Sequence, residues 1–387
     1  MNNFIYSIPT TIYFGKGQIS SLGQVVKEYG SKALLLYGGG SIKKSGLYDT
    51  VKEHLAQAGV ACVELGGVEP NPRITSVREG ARICKEQKVD VILPVGSGST
   101  IDCAKAIAAG AHYDGDAWDL VIDHSKIKAA TPIVSVLTLS ATGSEMDCGV
   151  ITNFDTNEKR AISSKILRPK ASILDPEYTY TVSRYQTGAG TADIMSHLFE
   201  VYFSRAEGTY MQDRIIEALL KTCIQYGPVA MNQPDDYDAR ANLMWASSWA
   251  INDFVACGKS GAWSVHPMEH ELSAFYDITH GVGLAILTPH WMRYVLDEST
   301  VGKFVEFGVN VWGIDPALAP MEIANRAIEA TAAFFQEELE LASTLKEVGI
   351  GEENLEIMAK KAAAMGLQNG YRPLAPEDIL AIYKACL

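Results

Sequence analysis

The chain has 387 residues, 47% of them hydrophobic, with 46 acidic against 33 basic side chains and a formal net charge of −13. That length favours two domains, and the negative balance argues against nucleic acid as a partner. No apolar run is long enough to span a bilayer, and the start, Met1 to Pro9, lacks a basic stretch followed by an apolar core, so no membrane association and a cytoplasmic location are expected.

The first 182 residues alternate short apolar runs with longer helical stretches. Thr11–Phe14 reads as a strand ending at Gly15-Lys-Gly17, followed by a helix over 18–29. Ala33–Tyr37 is a buried strand that stops at Gly38-Gly39-Gly40-Ser41. A helix over 45–58 ends at Gly59, a suitable C-terminal glycine. Strands over 60–65 and 89–95 flank a helix over 73–87. The second of them ends at Gly96-Ser97-Gly98-Ser99 and feeds a helix over 100–110. A strand over 132–139 runs into Ser140-Ala-Thr-Gly-Ser-Glu145. Residues 150–162 read as a β-hairpin turning at Asp155-Thr-Asn157. Such alternation, with near-continuous apolar strands, predicts a mainly parallel, doubly wound sheet.

Three strand ends carry small-residue turns: Gly38–Ser41, Gly96–Ser99 and Thr138–Ser144. Each lets a phosphate approach backbone N–H groups at a helix N-terminus, and together they favour a dinucleotide. The G-x-G-x-x-G fingerprint is absent. Asp102 and Lys105 follow the second turn, either to hydrogen-bond the ligand or to form a solvated face. The turn after the first buried strand has no carboxylate to meet a ribose 2′-hydroxyl. Ser41, Lys43 and Lys44 suit a 2′-phosphate instead, so NADP(H) is expected over NAD(H).

After Ser183 the strand signals fade. Helical stretches are predicted over 189–204, 209–226, 236–257, 280–296, 319–340, 353–365 and 375–386, giving domains of 1–182 and 183–387. Seven scattered cysteines with no C-x-x-C pair disfavour a disulfide framework and a thiolate metal site.

The second half carries Asp193-Ile-Met-Ser-His197, His266-Pro-Met-Glu-His270 and His280-Gly281. Residues i and i+4 share one helix face, so Asp193 pairs with His197 and His266 with His270. Three imidazoles and a carboxylate make a set usable by Fe²⁺, Zn²⁺, Co²⁺, Ni²⁺ or Mn²⁺. On spacing alone, His270 is a fifth ligand, a neighbour of the ligands or a proton carrier. Such a metal would act as a Lewis acid on a carbonyl while hydride moves to or from nicotinamide. Trp245, Trp249, Phe254 and Trp263 offer apolar surface suited to an aliphatic substrate.

On Tyr37–Ser41, Gly96–Asp102, Ala141–Glu145, Gly190–His197, His266-x-x-x-His270 and His280-Gly281, the chain resembles the iron-containing (group III) alcohol dehydrogenase family over essentially its whole length. Within that family it is most similar to the NADPH-dependent butanol dehydrogenase group. The resemblance implies a dehydroquinate synthase-like fold, with an α/β dinucleotide-binding domain followed by an all-helical one. It implies a divalent metal, Fe²⁺ or Zn²⁺, on Asp193, His197, His266 and His280, with His270 as a catalytic histidine. Cofactor contacts are implied at Gly38, Gly39, Ser41, Gly96, Ser97, Gly98, Asp102, Thr138, Thr142, Asn153 and Lys159. A small aliphatic aldehyde or alcohol is the implied substrate, and a homodimer the implied assembly. One departure is Gly96-Ser97-Gly98, where relatives show three glycines.

Overall fold

The computed structural model describes residues 1–259, 261 and 263–387. They group into two compact units. One holds Ser7–Val182 and Pro234–Met244; the other holds Met1–Tyr6, Ser183–Gln233 and Trp245–Leu387.

The first unit runs β1 (Thr11–Phe14), α1 (Leu22–Tyr29), β2 (Lys32–Tyr37), α2 (Ser41–Lys44), α3 (Leu47–Gln57), β3 (Ala61–Leu65), α4 (Ile74–Gln87), β4 (Val91–Gly96), α5 (Gly98–Gly110), α6 (Ala117–Ile122), β5 (Val134–Leu137), β6 (Gly149–Asn153), β7 (Glu158–Ile162) and β8 (Ala171–Leu174). Six strands form one parallel sheet in the order β1-β8-β5-β4-β2-β3. Alternate side chains of β2 serve opposite cores: Leu34 and Leu36 pack on one face, Ala33, Leu35 and Tyr37 on the other. A strand buried on both faces has to read as an unbroken apolar run, which is why Ala33–Tyr37 does. Pro94 sits inside β4, where it cannot donate to a ladder. The β4–β5 pairing accommodates it, with a bridge at Ile92↔Ile133 and regular register resuming at Val95↔Val136. Strands β6 and β7 form a separate antiparallel hairpin, with Asn153 opposite Glu158.

From β2 the chain turns outward to β3, and from β4 it goes the other way to β5. The reversal falls between the carboxyl ends of β2 and β4, where open α/β sheets bind ligands. The turns after β5, β4 and β2 therefore come from three neighbouring strands.

The second unit is helical: α7 (Arg184–Tyr202), α8 (Tyr210–Asn232), the end of α9 (Tyr237–Ile251), α10 (Val265–Tyr276), α11 (His280–Val295), α12 (Val301–Asn310), α13 (Pro320–Ala333), α14 (Leu355–Ala363) and α15 (Pro376–Ala385). Helix α12 lies outside the stretches predicted from periodicity. The helix predicted over 319–340 stops being α-helical at Ala333. It continues as a π turn over Phe334–Glu338, and Glu340 then adopts φ 53° and pairs with Arg184 at 2.7 Å. Helix α7 is the centre of this unit, buried without interruption from Thr187 to Tyr202. Among the described residues no helix is long and apolar enough to cross a membrane.

Two short segments sort differently from the linear 1–182 and 183–387 division. Asn2 N–H donates to Gly258 O at 2.9 Å and the Tyr6 ring meets Phe254 edge-on, which holds the first residues on the helical unit. Met244 packs with Ile101, Leu137 and Leu174, which holds Pro234–Met244 on the α/β unit. Both are non-local packings that periodicity does not encode.

Candidate metal centre

Helix α7 carries Asp193 and His197 one turn apart, both buried. Helix α10 begins at Val265, so His266 lies in its first turn, and α11 begins at His280. Asp277, at φ 52°, caps α10 in the left-handed conformation and leads into α11. Gly281 sets the approach of α11 to α7: a Cβ there would lie 2.0 Å from the Ala189 carbonyl oxygen. Only a residue without a side chain lets α11 come close enough to bring His280 to Asp193.

Asp193 Oδ1 is the common neighbour of the three imidazoles, and the donor atoms of Asp193, His266 and His280 lie within 4.8 Å of one another. Asp193 Oδ1 lies 3.5 Å from His197 Nε2, 3.7 Å from His280 Nε2 and 3.9 Å from His266 Nε2. These separations exceed an ordinary hydrogen bond. They are close to the edge of a tetrahedron of ligands about a metal, roughly 3.3–3.6 Å for bonds of about 2.0–2.2 Å. Burial, reinforced by the neighbouring His266, holds His197 well below the usual imidazole range, so it offers a lone pair. A buried anion facing imidazole lone pairs is the environment that a divalent cation neutralises. The donor set fits the metal expected from the sequence.

Two further carboxylates stand behind the imidazoles. Glu200 Oε1 lies 3.1 Å from His266 Nδ1, and the same side chain accepts the backbone N–H groups of Ser264 and His266. Burial pushes its carboxyl up to about 7, opposed by those backbone donors. Glu269, fully buried, bonds His280 Nδ1 and accepts the Ser273 hydroxyl. His270 lies beside His280 rather than at Asp193: its ring centroid is 5.7 Å from that of His280 and 6.4 Å from that of His266, its donor atoms group with those of Glu269 and His280 within 4.8 Å, and its side chain is half-buried. Trp263 lies against both His266 and His197, at 4.7 and 5.8 Å. Of the other three aromatics expected near the site, Trp249 meets Trp245 and Phe254 edge-on, at 5.5 and 5.1 Å.

The expected cofactor residues all belong to the α/β unit. Gly38 and Gly39 follow β2, and Ser41 opens the short helix α2 beyond Gly40 at φ 103°. Ser97 is the N-cap of α5, whose first residue is Gly98. A Cβ on Gly98 would fall 2.0 Å from Thr142 Oγ1, and one on Gly96 2.5 Å from Thr100 Oγ1. Glycine at both positions thus lets the side chains of Thr100 and Thr142 pack against the turn at the α5 N-terminus. Thr138 N–H donates to Gly96 O, tying the third turn to the second. Asn153 and Lys159 are buried on the hairpin.

Asp102 and Lys105 do not form a solvated face. Lys105 is fully buried and donates to the Ser144 carbonyl and hydroxyl, each at 2.6 Å, and to Cys148 O. Asp102 accepts from Ser144 Oγ and, at 3.0 Å, from Val150 N. The pair fastens the turn after β5 and the start of the hairpin onto α5. Its charges are spent inside the fold, which the exposed-looking spacing of an acid and a base does not reveal.

Fold and centre together are those of a metal-dependent, nucleotide-using oxidoreductase of the alcohol dehydrogenase class. Family models for iron-containing alcohol dehydrogenase and for the C-terminal part of the Fe-containing alcohol dehydrogenase family match residues 9–176 and 187–387. The chain belongs to the iron-containing alcohol dehydrogenase family, and with it to enzymes that use a divalent metal and a nicotinamide cofactor. It is 57% identical to the NADH-dependent butanol dehydrogenase A of Clostridium acetobutylicum, over 99% of each chain. It is 37% identical to the NADPH-dependent aldehyde reductase YqhD of Escherichia coli, over 95% of this chain and 94% of that one. The crystal structure of NADH-dependent butanol dehydrogenase A from Thermotoga maritima, 40% identical, matches with a TM-score of 0.95 over 100% of this chain and 99% of that one.

Glu200 and Glu269 are the residues that sequence reasoning missed. Their signal is position: Glu200 lies three residues after His197, and Glu269 immediately before His270.

Proposed function

We propose that this protein reduces short straight-chain aldehydes such as butanal to primary alcohols, and runs the reverse oxidation, with NADP(H) and one divalent ion, Fe²⁺ or Zn²⁺. The observation that carries this reading is the convergence of three imidazole Nε2 atoms on Asp193 Oδ1 within 3.5–3.9 Å. The names of its relatives support the substrate class.

An ion held by Asp193, His197, His266 and His280 supplies Lewis acidity to a carbonyl oxygen, and the bound nicotinamide supplies or accepts the hydride. Asp193 tempers the positive charge at the centre. Trp263 covers the imidazoles and keeps water from their faces. His270, half-buried and one helical turn from His266, moves the proton between the alcohol oxygen and solvent. The turns after β2, β4 and β5 hold the dinucleotide through backbone N–H groups, and Asp102 and Lys105 keep the third turn in place.

The cofactor preference rests on the turn after β2. Relatives' names divide, NADH for the 57% identical enzyme and NADPH for YqhD. In this chain Gly38 brings no carboxylate. Glu64 on the neighbouring strand is occupied by Lys52 at 2.8 Å and by Tyr48. Ser41 is exposed, and Lys43 lies 4.8 Å from the centroids of Tyr37 and Tyr48. A 2′-phosphate there meets a hydroxyl and a cation and faces no repelling acid.

The test is loss of NADPH absorbance on adding butanal, abolished by a chelator and restored by Fe²⁺ or Zn²⁺. Absence of turnover across an aldehyde series overturns the reading. A higher kcat/KM with NADH than with NADPH overturns the cofactor assignment alone.

A further inference from the structure

The three imidazoles of the centre are not held alike. His266 Nδ1 meets Glu200 and His280 Nδ1 meets Glu269, so each ring has a carboxylate behind it and its Nε2 toward Asp193. His197 Nδ1 is buried with no hydrogen-bond partner among the described residues. That ring is kept in place by packing instead. It stacks on His266 with centroids 4.6 Å apart and planes 21° apart, and the tilted Trp263 ring lies 5.8 Å from it.

Glu269 is built for one task. It is fully buried, so its position is not that of a surface acid. One carboxylate oxygen takes the Ser273 hydroxyl from its own helix, which fixes the rotamer, and the other takes His280 across to α11. Gly283 makes room for it, since a Cβ there would lie 2.8 Å from Glu269 Cγ. Glu269 and His280 also group with His270, the donor atoms of the three lying within 4.8 Å of one another.

Resting on the metal-binding reading above, we propose that Glu269 is a positioning residue. It fixes His280 as the Nδ1–H tautomer with Nε2 facing the metal, and Glu200 does the same for His266. A carboxylate that accepts the outer N–H of a ligating imidazole fixes its tautomer and raises its basicity, and its loss typically weakens metal binding by roughly 10–100-fold. His197, without such a partner, takes its orientation from the rings around it.

The first test uses the unaltered protein loaded with Zn²⁺. Selective ¹⁵N labelling of histidine and NMR should show His266 and His280 protonated at Nδ1 and ligating through Nε2. An Nε2-protonated His280 in the zinc-loaded protein overturns the assignment, whatever any variant does. Failure to bind Zn²⁺ at all would instead sink the metal reading on which the assignment depends. The second test is zinc affinity by chelator competition, which does not depend on turnover. Glu269→Ala should raise the dissociation constant by roughly 10–100-fold with the apo-protein's thermal midpoint retained. Glu269→Gln, whose amide oxygen still accepts the Nδ1–H, should recover most of that loss. Wild-type affinity in both variants contradicts the proposal.

Discussion

Asp193 Oδ1 makes the centre, because all three imidazoles turn Nε2 toward it within 3.5–3.9 Å and its charge calls for a cation. Asp193→Ala or His266→Ala should therefore abolish both bound metal and turnover, read by elemental analysis and by NADPH oxidation. His270→Ala should keep the metal and slow the reaction by roughly 10²–10⁴-fold, the usual worth of a placed proton carrier. A metal-free His270 variant would make that residue a ligand. At the coenzyme end, Gly38→Asp should move the kcat/KM ratio toward NADH, since a carboxylate there repels a 2′-phosphate and accepts a 2′-hydroxyl. Much of this was legible in the chain: a four-residue spacing puts Asp193 with His197 on one face whatever the rest of the fold does. Spacing could not separate His266 from His270, which stand in the same relation to their own helix. What separates them is the direction from which α7 and α11 arrive. Glu200 and Glu269 were illegible for a related reason, because an acid on a helix reads as solvated until its neighbours are known.

Two glycines act at the scale of whole elements. Gly281 lets α11 touch the α7 backbone at Ala189, and that contact seats His280. A methyl group placed against a backbone carbonyl cannot be relieved by a rotamer change. Gly281→Ala should cost about 1–3 kcal/mol of stability by overpacking, seen in denaturant titration, and should weaken zinc retention as well. Gly98→Ala meets a side chain, Thr142, and so should fold. It should raise the KM for NADPH more than the KM for butanal, because it displaces the turn after β5 from the start of α5. The strands were readable from their unbroken apolar runs, and the hairpin from its turn residues. Helix α12 was not among the predicted helices, although α14 and α15 are no longer than it. The tethering of α5 to the turn after β5 through Asp102 and Lys105 was also hidden. Buried charge pairs carry no pattern of their own.

For the whole molecule, the residues offered to the metal and those offered to the dinucleotide lie in different compact units. Ligand binding stabilises what it touches, by about 2.7 kcal/mol at a hundredfold excess over the dissociation constant. Hydrogen exchange should report the two ligands separately. Zn²⁺ should slow exchange in α7, α10 and α11, and NADPH in the segments after β2, β4 and β5. Protection by zinc confined to the α/β unit would contradict the assignment of the centre. Composition and alternation were enough to expect an α/β half and a helical half. The exchange of Met1–Tyr6 and Pro234–Met244 between units was not foreseeable, because each is fixed by partners far away in sequence, Gly258 and Phe254 for one, Leu137 and Leu174 for the other.

The central claim is that one metal ion on Asp193, His197, His266 and His280 carries aldehyde reduction. It is tested most directly by stripping anaerobically purified protein with a chelator and titrating Fe²⁺ or Zn²⁺ back while following butanal-dependent NADPH oxidation. Activity should be absent in the stripped protein, rise to a plateau at one equivalent of metal per chain, and fail to return in Asp193→Ala. Turnover that survives complete removal of metal, or that returns in Asp193→Ala, would contradict the account.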